Sequence, residues 1–289
     1  MKVNRFTSLL NSLSLFAGYI LFAEQANAQI RFPVPSQQEI RNFESSKTYI
    51  VKEDKLISDY NLALEDAVQK HWHATDAEVI SSTEFKNMRT DESASFVYMN
   101  QVHFKEDKTL TAYEYLFLSM GDKSGDIDDM PDLCAVPLAV KGTKQEEFVY
   151  KIGLILEFMQ GHVRVCKNHP DLNEKDVINF YSSREISLDD KKLWLLKNEV
   201  EADIRNQTEM ASIYPYEFQF VDKEDIKAAI DQVRDDILIL HLTKAGENRY
   251  CFKLIVTAGK GGLYFYDYHR TKKQKPSLLL KTDIKKFIH

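Results

Sequence analysis

The sequence predicts an α/β to α+β protein: two duplicated βαβαββ units with mixed sheets, joined by a bridging helix and followed by a C-terminal helix. Three observations predict it. An order of apolar strands and amphipathic stripes occurs twice, helix-start signals recur at one offset, and the composition is that of an ordinary globular chain. The 289 residues are 44% hydrophobic and 28% charged, with ten glycines and seven prolines. That supplies a core and excludes collagenous, low-complexity and largely disordered chains. Thirty-eight Lys and Arg against 44 Asp and Glu give a net charge of −6, which argues against broad attraction to phosphate backbones or anionic membranes, so no nucleic-acid partner is expected.

Residues 1–28 read as an export signal. Lys2 and Arg5 precede the apolar stretch Leu9 to Ala23, and Ala26-Asn27-Ala28 stands just before Gln29. A short positive region, an apolar run and an A-x-A site predict cleavage before Gln29. The run contains Asn11, Ser12 and Ser14 and falls short of the ~20 residues that a spanning helix needs. No cysteine sits at the cut, so a lipid anchor is not indicated, and no later segment reads as a transmembrane helix. Removing Lys2, Arg5 and Glu24 leaves 36 basic against 43 acidic residues, a charge of −7. The expected location is the periplasm or the medium.

After an N-terminal extension, 29–46, the first unit occupies 47–120. Thr48 to Val51 form a strand, and Ile57, Tyr60, Leu64, Val68 and Trp72 recur at helical spacing on one face. Ala77 to Ile80 form the next strand. Ser81 with Glu84 then resembles a capping box, whose side-chain oxygens satisfy free amides of a first helical turn, and Phe85 points into the core. Phe96, Tyr98 and Asn100 alternate with Val97, Met99 and Gln101 in a strand that turns at 105–108 into a hairpin partner.

The segment 121–191 reads as an acidic loop, Gly121 to Asp132, and a bridging helix at 146–165 carrying Phe148, Ile152, Ile155, Phe158 and Met159. The second unit, 192–270, repeats the order. Leu193 to Leu196 form a strand, Leu196, Val200 and Ile204 begin a helical stripe, and Phe218 to Val221 form the next strand. Asp222 with Asp225 is a second capping box, at the offset of 141 that separates Ser81 from Asp222, with Ile226 in the place of Phe85. Ile237 to Leu242 match the strand of Phe96. A turn at 243–247 and the glycine turn Gly259-Lys260-Gly261-Gly262 lead to the strand Leu263 to Arg270. In 271–289, a last helix carries Leu279, Leu280, Ile284 and Phe287. Strands joined through helices are expected to be parallel by right-handed crossovers, with both helices of a unit on one face.

Candidate chemistry is thin. His71-Trp72-His73 places two histidines at i and i+2, which share no helical face, and it lacks an arrangement such as H-E-x-x-H. It reads as a helix end with Trp72 buried, and no metal is expected. Asp122, Asp126, Asp128, Asp129 and Asp132 lack the order and distal Glu of an EF-type loop, so they read as a solvated connection. The glycine turn lacks the P-loop order and reads as a hairpin turn. Asp267 and His269 lie two apart on one strand face, where an acid–base pair is conceivable, and His241 is the third suspect, yet no nucleophile motif accompanies them. Tyr264, Tyr266 and Tyr268 form a stripe that either presents a sugar- or peptide-binding face or lies under the C-terminal helix. Cys134 and Cys166 flank the helix expected at 146–165, about 30 Å long, and the segment Ala135 to Glu146 can stretch back over a similar distance, so a disulfide between them is geometrically allowed, whereas Cys251 reads as a small buried hydrophobe. No cofactor is expected.

The run from Trp72 through Val79-Ile80-Ser81-Ser82-Thr83-Glu84-Phe85 is a helix ending in Trp before a strand and a capped helix. It resembles the amino-terminal domain of TolB and the related α/β domain of curli-secretion CsgG-type proteins. The whole chain is similar to secreted two-unit α/β proteins of Gram-negative bacteria. The resemblance implies an exported protein that acts through contacts with an envelope protein or surface component, and it brings no catalytic residue. The duplication points the same way, because matched positions carry unmatched polar residues: Asn100 against His241, Glu114 against Lys253. The expected function is therefore non-catalytic binding or assembly in the cell envelope. The alternative is a secreted hydrolase with its site in the groove between the units. A third reading, an adhesin or filament component, would use Leu263 to Arg270 as an edge strand.

Overall fold

The computed structural model describes residues 32–288 except 105, 106, 108, 110 and 184–186. The expected export signal at 1–28 and the expected cut before Gln29 lie outside the described residues, and of the turn at 105–108 Asp107 alone is described. In chain order the elements are α1 (Gln37–Ser45), β1 (Lys47–Val51), α2 (Asp59–His71), β2 (Ala77–Ile80), α3 (Ser82–Met88), β3 (Ala94–His103), β4 (Ala112–Met120) and β5 (Asp132–Val140). Then follow α4 (Ile152–Asn168), α5 (Val177–Ser183), β6 (Lys192–Leu195), α6 (Gln207–Ala211), β7 (Glu217–Phe220), α7 (Lys223–Asp231), β8 (Ile237–Leu242), β9 (Tyr250–Thr257), β10 (Leu263–Arg270) and α8 (Lys281–Phe287).

The strands make two five-stranded sheets of one topology, β2-β1-β3-β4-β5 and β7-β6-β8-β9-β10. In each, the first strand pairs in parallel with two neighbours and the remaining pairs are antiparallel. Both capping boxes form: Ser81 Oγ accepts from Glu84 N at 3.2 Å, and Asp222 Oδ1 accepts from Asp225 N at 2.9 Å. Even an edge ion pair recurs, Lys47 with Glu78 and Lys192 with Glu217. The protein is thus a mixed α/β fold of two duplicated units.

The duplication runs further than the sequence suggests, because the segment read as acidic loop and bridge contains β5, paired with β4. Its run Leu133 to Val140 is buried throughout and so lacks the alternation of a half-buried strand. Pro137 interrupts it as well, which an edge strand tolerates because no ladder bond is required on its open side. The bridging helix starts at Ile152 rather than 146, after two short 3₁₀ turns. An unforeseen helix, α1, occupies the extension, held by its own capping box of Ser36 and Glu39.

Two expectations fail for stated reasons. Helices α2 and α3 lie on opposite faces of the first sheet, not on one. Tyr60 and Leu64 of α2 join the cluster of Ile50 and Val97, whereas Phe85 of α3 joins that of Phe96 and Tyr98. The step from β1 to β2 and the step from β2 back to β3 run in opposite directions, and two right-handed crossovers then place their helices on opposite sides. The stripe Leu196, Val200 and Ile204 is buried as expected, yet it is not one helix. Glu199 O accepts from Leu279 N at 2.8 Å and Glu201 N donates to Leu279 O at 2.9 Å, so Val200 lies extended between two 3₁₀ turns. Leu279 and Leu280 accordingly precede α8 instead of belonging to it.

Helix α4 sits between the units. It packs on α1 and α2 and on β5 of the first sheet, and on α7 and β9 of the second. Every residue from Ile152 to Val163 is buried, so the helix is apolar nearly all round, as a central helix must be. No helix among the described residues is long and apolar enough to cross a membrane. The glycine turn between β9 and β10 leans on α4. Gly261 has φ +66°, and a Cβ there would stand 2.3 Å from the carbonyl of Glu157. Gly261→Ala is expected to cost about 1–3 kcal/mol or more in urea unfolding, with Gly262→Ala, whose nearest neighbour is 3.5 Å away, as the mild control. Equal effects of the two would refute the packing argument.

Candidate functional site

The residues singled out from sequence do not converge. His241 is fully buried on β8, and its Nε2 lies 2.7 Å from the carbonyl oxygen of Pro137. A carbonyl only accepts, so the imidazole donates there from Nε2. Burial, aided by the nearby Lys151 ammonium, pushes its pKa down to about 3. Asp267 accepts from Lys286 Nζ at 2.7 Å, and His269 Nε2 meets the Pro276 carbonyl oxygen at 2.9 Å, so each is held by the C-terminal segment. Burial and then the charge of Lys253 push His269 down too. These are structural histidines, and the three suspects form no common site.

The tyrosine stripe is divided. A bulge after Leu263 breaks its alternation. Tyr266 is buried against Phe32, ring centroids 4.5 Å apart, Tyr264 is half-buried and Tyr268 is 39% exposed. The C-terminal helix covers Phe265 instead, through Phe287 at 5.8 Å. Edge strand β10 is packed by α5. Cys134 and Cys166 are free, buried thiols and form no bridge. Cys166 Sγ instead lies 3.6 Å from His162 Nε2, and burial pushes its thiol up to about 12. Cys251 is also free and buried. In the acidic loop, Asp122 and Asp126 accept from backbone amides two residues on, and Asp132 accepts from Ser119 Oγ. Among the described residues no group of three His, Cys, Asp or Glu side chains is placed to hold a metal ion.

Two other places concentrate function-bearing groups. The first is a cavity of about 220 Å³ where α2, the entry to α4, and α7 meet, so it lies between the units. His71, in the last turn of α2, is 1% exposed at its floor, and neither ring nitrogen has a hydrogen-bond partner. Glu157 Oε1 stands 3.6 Å from Nδ1, and Asp231 Oδ1 stands 3.7 Å from Nε2. Trp72 is buried as expected. At the rim, Asp66 and Lys70 of α2 interlock with Lys227 and Asp231 of α7 in a four-membered ionic square, with contacts of 2.8–3.4 Å.

The second is a groove of about 630 Å³ at the carboxyl ends of β1 and β2, where α/β sheets commonly carry their sites. It is lined by the stretch from Lys52 to Ser58 and by Ser81 to Thr83, and it is edged by fully exposed Leu56, by Ile57 at 86% and by Leu62 at 67%. Ile57 does not join the buried stripe of α2, because Ser58 is the N-cap and Ile57 precedes the helix.

The stretch from Lys52 to Ser58 is nevertheless fixed. Glu53 takes hydrogen bonds from Ser58 Oγ and Gln145 Nε2 and pairs with Lys55 at 2.7 Å, and its backbone exchanges two bonds with Asn61. Burial raises the Glu53 carboxyl, but these donors more than offset it and hold it below the usual carboxylate range. The aliphatic tips are therefore presented on a braced loop.

Comparison with protein-family models, with curated proteins and with solved structures finds no match for this chain. What defines it is the fold itself, a duplicated five-stranded α/β unit, with a cleft between the copies and an open strand exit among the described residues. The hydrolase alternative places a site in the groove between the units but on His241, Asp267 and His269 rather than His71, and the strand exit is not singled out from sequence. Glu157 and Asp231 reach His71 from elements far along the chain, which no local spacing announces. The N-cap signal of Ser58, by contrast, was available and places Ile57 outside the helix.

Proposed function

We propose that this chain is a non-catalytic binding or assembly protein of the cell envelope, and that its first unit holds an extended aliphatic segment of a partner protein at the strand exit. One observation carries this reading. In the second unit the stretch leaving the first strand is covered by the chain's own tail, with Val200 fully buried and paired to Leu279. In the first unit the corresponding stretch carries bare Leu56 and Ile57. A duplicated fold that fills one exit with the run Leu278-Leu279-Leu280 indicates what the other accepts, an extended Leu-rich strand docked by backbone bonds and side-chain pockets. The export signal expected from sequence and the sequence resemblance to TolB-type domains support an envelope partner.

A second reading, a secreted hydrolase in the inter-unit groove, moves from His241, Asp267 and His269 to His71, whose imidazole between two carboxylates is a recognisable acid–base arrangement. No Ser or Cys lines that cavity, so the binding reading is preferred.

A photocrosslinking residue placed at Leu56 in the producing cell is expected to capture one partner, and the same residue at Tyr268 is not. Ile57→Asp is expected to abolish the adduct while leaving thermal stability unchanged, since surface changes stay within about 0.5 kcal/mol. An adduct that survives Ile57→Asp, or appears equally from Tyr268, would overturn the proposal.

A further inference from the structure

We propose that the cavity between the two units binds a small molecule with an apolar body and a single ammonium head, the head being received by His71 and Asp231. This inference stands apart from the protein-binding reading and uses a different site. The walls are apolar, formed by Ala63, Ala67, Val149, Gly153 and Ile230. At about 220 Å³ the space is below the ~300–1,000 Å³ of drug-sized pockets, so the body is of fragment size. Gly153 makes room for the floor: a Cβ there would come within 2.5 Å of His71 Cδ2 and 2.8 Å of Nε2.

The head follows from hydrogen bonding and charge. A buried imidazole with neither nitrogen satisfied is costly, and a ligand that bonds to it recovers that cost. Glu157 is nearly buried beside Nδ1 and favours the tautomer with its proton on that nitrogen. Nε2 is then left as a buried acceptor without a partner, next to the Asp231 carboxylate. Two adjacent acceptors call for a donor. The charged groups around His71 are Asp66 and Lys70 on α2, Glu157 on α4, and Lys227 and Asp231 on α7, with exposed His73 beyond Glu157. Three carboxylates against two ammonium groups leave these side chains one negative charge in excess, which a single ammonium head balances. A carboxylate head would add to it.

The test uses the full chain and three probes of one shape, benzylamine, benzyl alcohol and benzoate, followed through the ¹⁵N resonances of the His71 ring. Benzylamine at millimolar concentration is expected to shift His71 Nε2, benzyl alcohol to act more weakly and benzoate not at all. Asp231→Asn, which also loosens the pairs with Lys70 and Lys227 and is therefore checked by its unfolding midpoint, is expected to weaken benzylamine about tenfold, the loss of a charge-assisted hydrogen bond. His71→Phe, checked for folding by its unfolding midpoint, is expected to remove binding. Benzoate binding as well as benzylamine, no response from any of the three, or unchanged benzylamine affinity in Asp231→Asn would each overturn the assignment.

Discussion

Acidification from about pH 7 to about pH 4.5 is expected to lower the unfolding free energy by about 3 kcal/mol, a large share of the ~5–15 kcal/mol that holds a typical fold. Buried histidines drive the loss, foremost His241 and His162, with His269 adding in the same sense. His241 is pushed down to about 3 by burial and by Lys151, and His162 is pushed down to about 4 by burial. His162 donates from Nε2 to the Pro33 carbonyl at 2.7 Å, and its Nδ1 meets the Tyr181 hydroxyl at 2.9 Å, so the neutral ring is fully satisfied, whereas a second proton would bring a charge into a buried place.

The unfolded chain takes up protons near the ordinary histidine value of ~6.5, whereas the folded chain resists until far lower, so the unfolded state binds more protons throughout that window. Stability is full above ~6.5 and falls as pH drops, by about 2.5–2.7 kcal/mol for each of the His241 and His162 rings at pH ~4.5. Asp132 acts in the opposite sense. Burial raises its carboxyl to about 6, so the folded state takes up its proton first and regains about 2 kcal/mol over the same interval. Carboxylates held low, such as Glu147 by Lys244 and Lys223, add to the loss as pH falls through their range. Urea midpoints at the two pH values measure the sum. His241→Gln keeps a donor for Pro137 but cannot titrate, and it is expected to remove about half of the histidine-driven slope; a flat wild-type profile, or an unchanged slope in the variant, would refute the account.

Those histidines also mark how far the sequence is legible. The strands and caps are local matters. Ser81 with Glu84 and Asp222 with Asp225 need only three-residue spacing and a free amide, and they form as read. The duplication follows from such signals, and with it the fold class. What fails depends on distant chain. Val200 leaves the helical stripe because Leu279 offers it backbone bonds, β5 is hidden because an edge strand buried on both sides loses its alternation, and Tyr266 is covered by Phe32 rather than by α8. The candidate sites belong to the second kind. His71 is unremarkable until α4 brings Glu157 and α7 brings Asp231, and the bare Leu56 gains meaning when the matching exit is seen filled by the tail.

Breaking the buried ion pair of Lys253 and Asp283 is expected to be the most damaging single change in the molecule. Lys253 on β9 is fully buried, Asp283 on α8 is 2% exposed, and the two are in direct contact. Asp283 Oδ2 also accepts from Leu280 N at 2.7 Å, capping α8. Asp283→Ala therefore leaves a buried ammonium unpaired and a helix uncapped, for a loss of about 3–5 kcal/mol with about 1 kcal/mol more from the cap. Lys253→Met strands the carboxylate, which keeps the Leu280 amide, and is expected to cost somewhat less. Lys253→Met with Asp283→Leu removes both charges and is expected to be more stable than either single variant, since apolar replacement of a buried pair is often neutral.

The pair of Lys151 and Glu199 is the contrast. Lys151 also donates to the Leu240 carbonyl at 2.7 Å, and burial lowers its pKa, so Glu199→Gln leaves a group that is partly satisfied and sheds its proton more readily. A smaller loss is expected there. Because α8 anchors the segment that covers Val200, Asp283→Ala should also release the tail. Amide exchange at Leu279 and Glu201, whose bonds tie the two segments, is then expected to quicken before the sheet itself opens. A double variant no better than the worse single one, or Leu279 protection unchanged in Asp283→Ala, would show that the pair neither couples nor pins the tail, and would weaken the view of that tail as the built-in counterpart of the segment sought by the first unit.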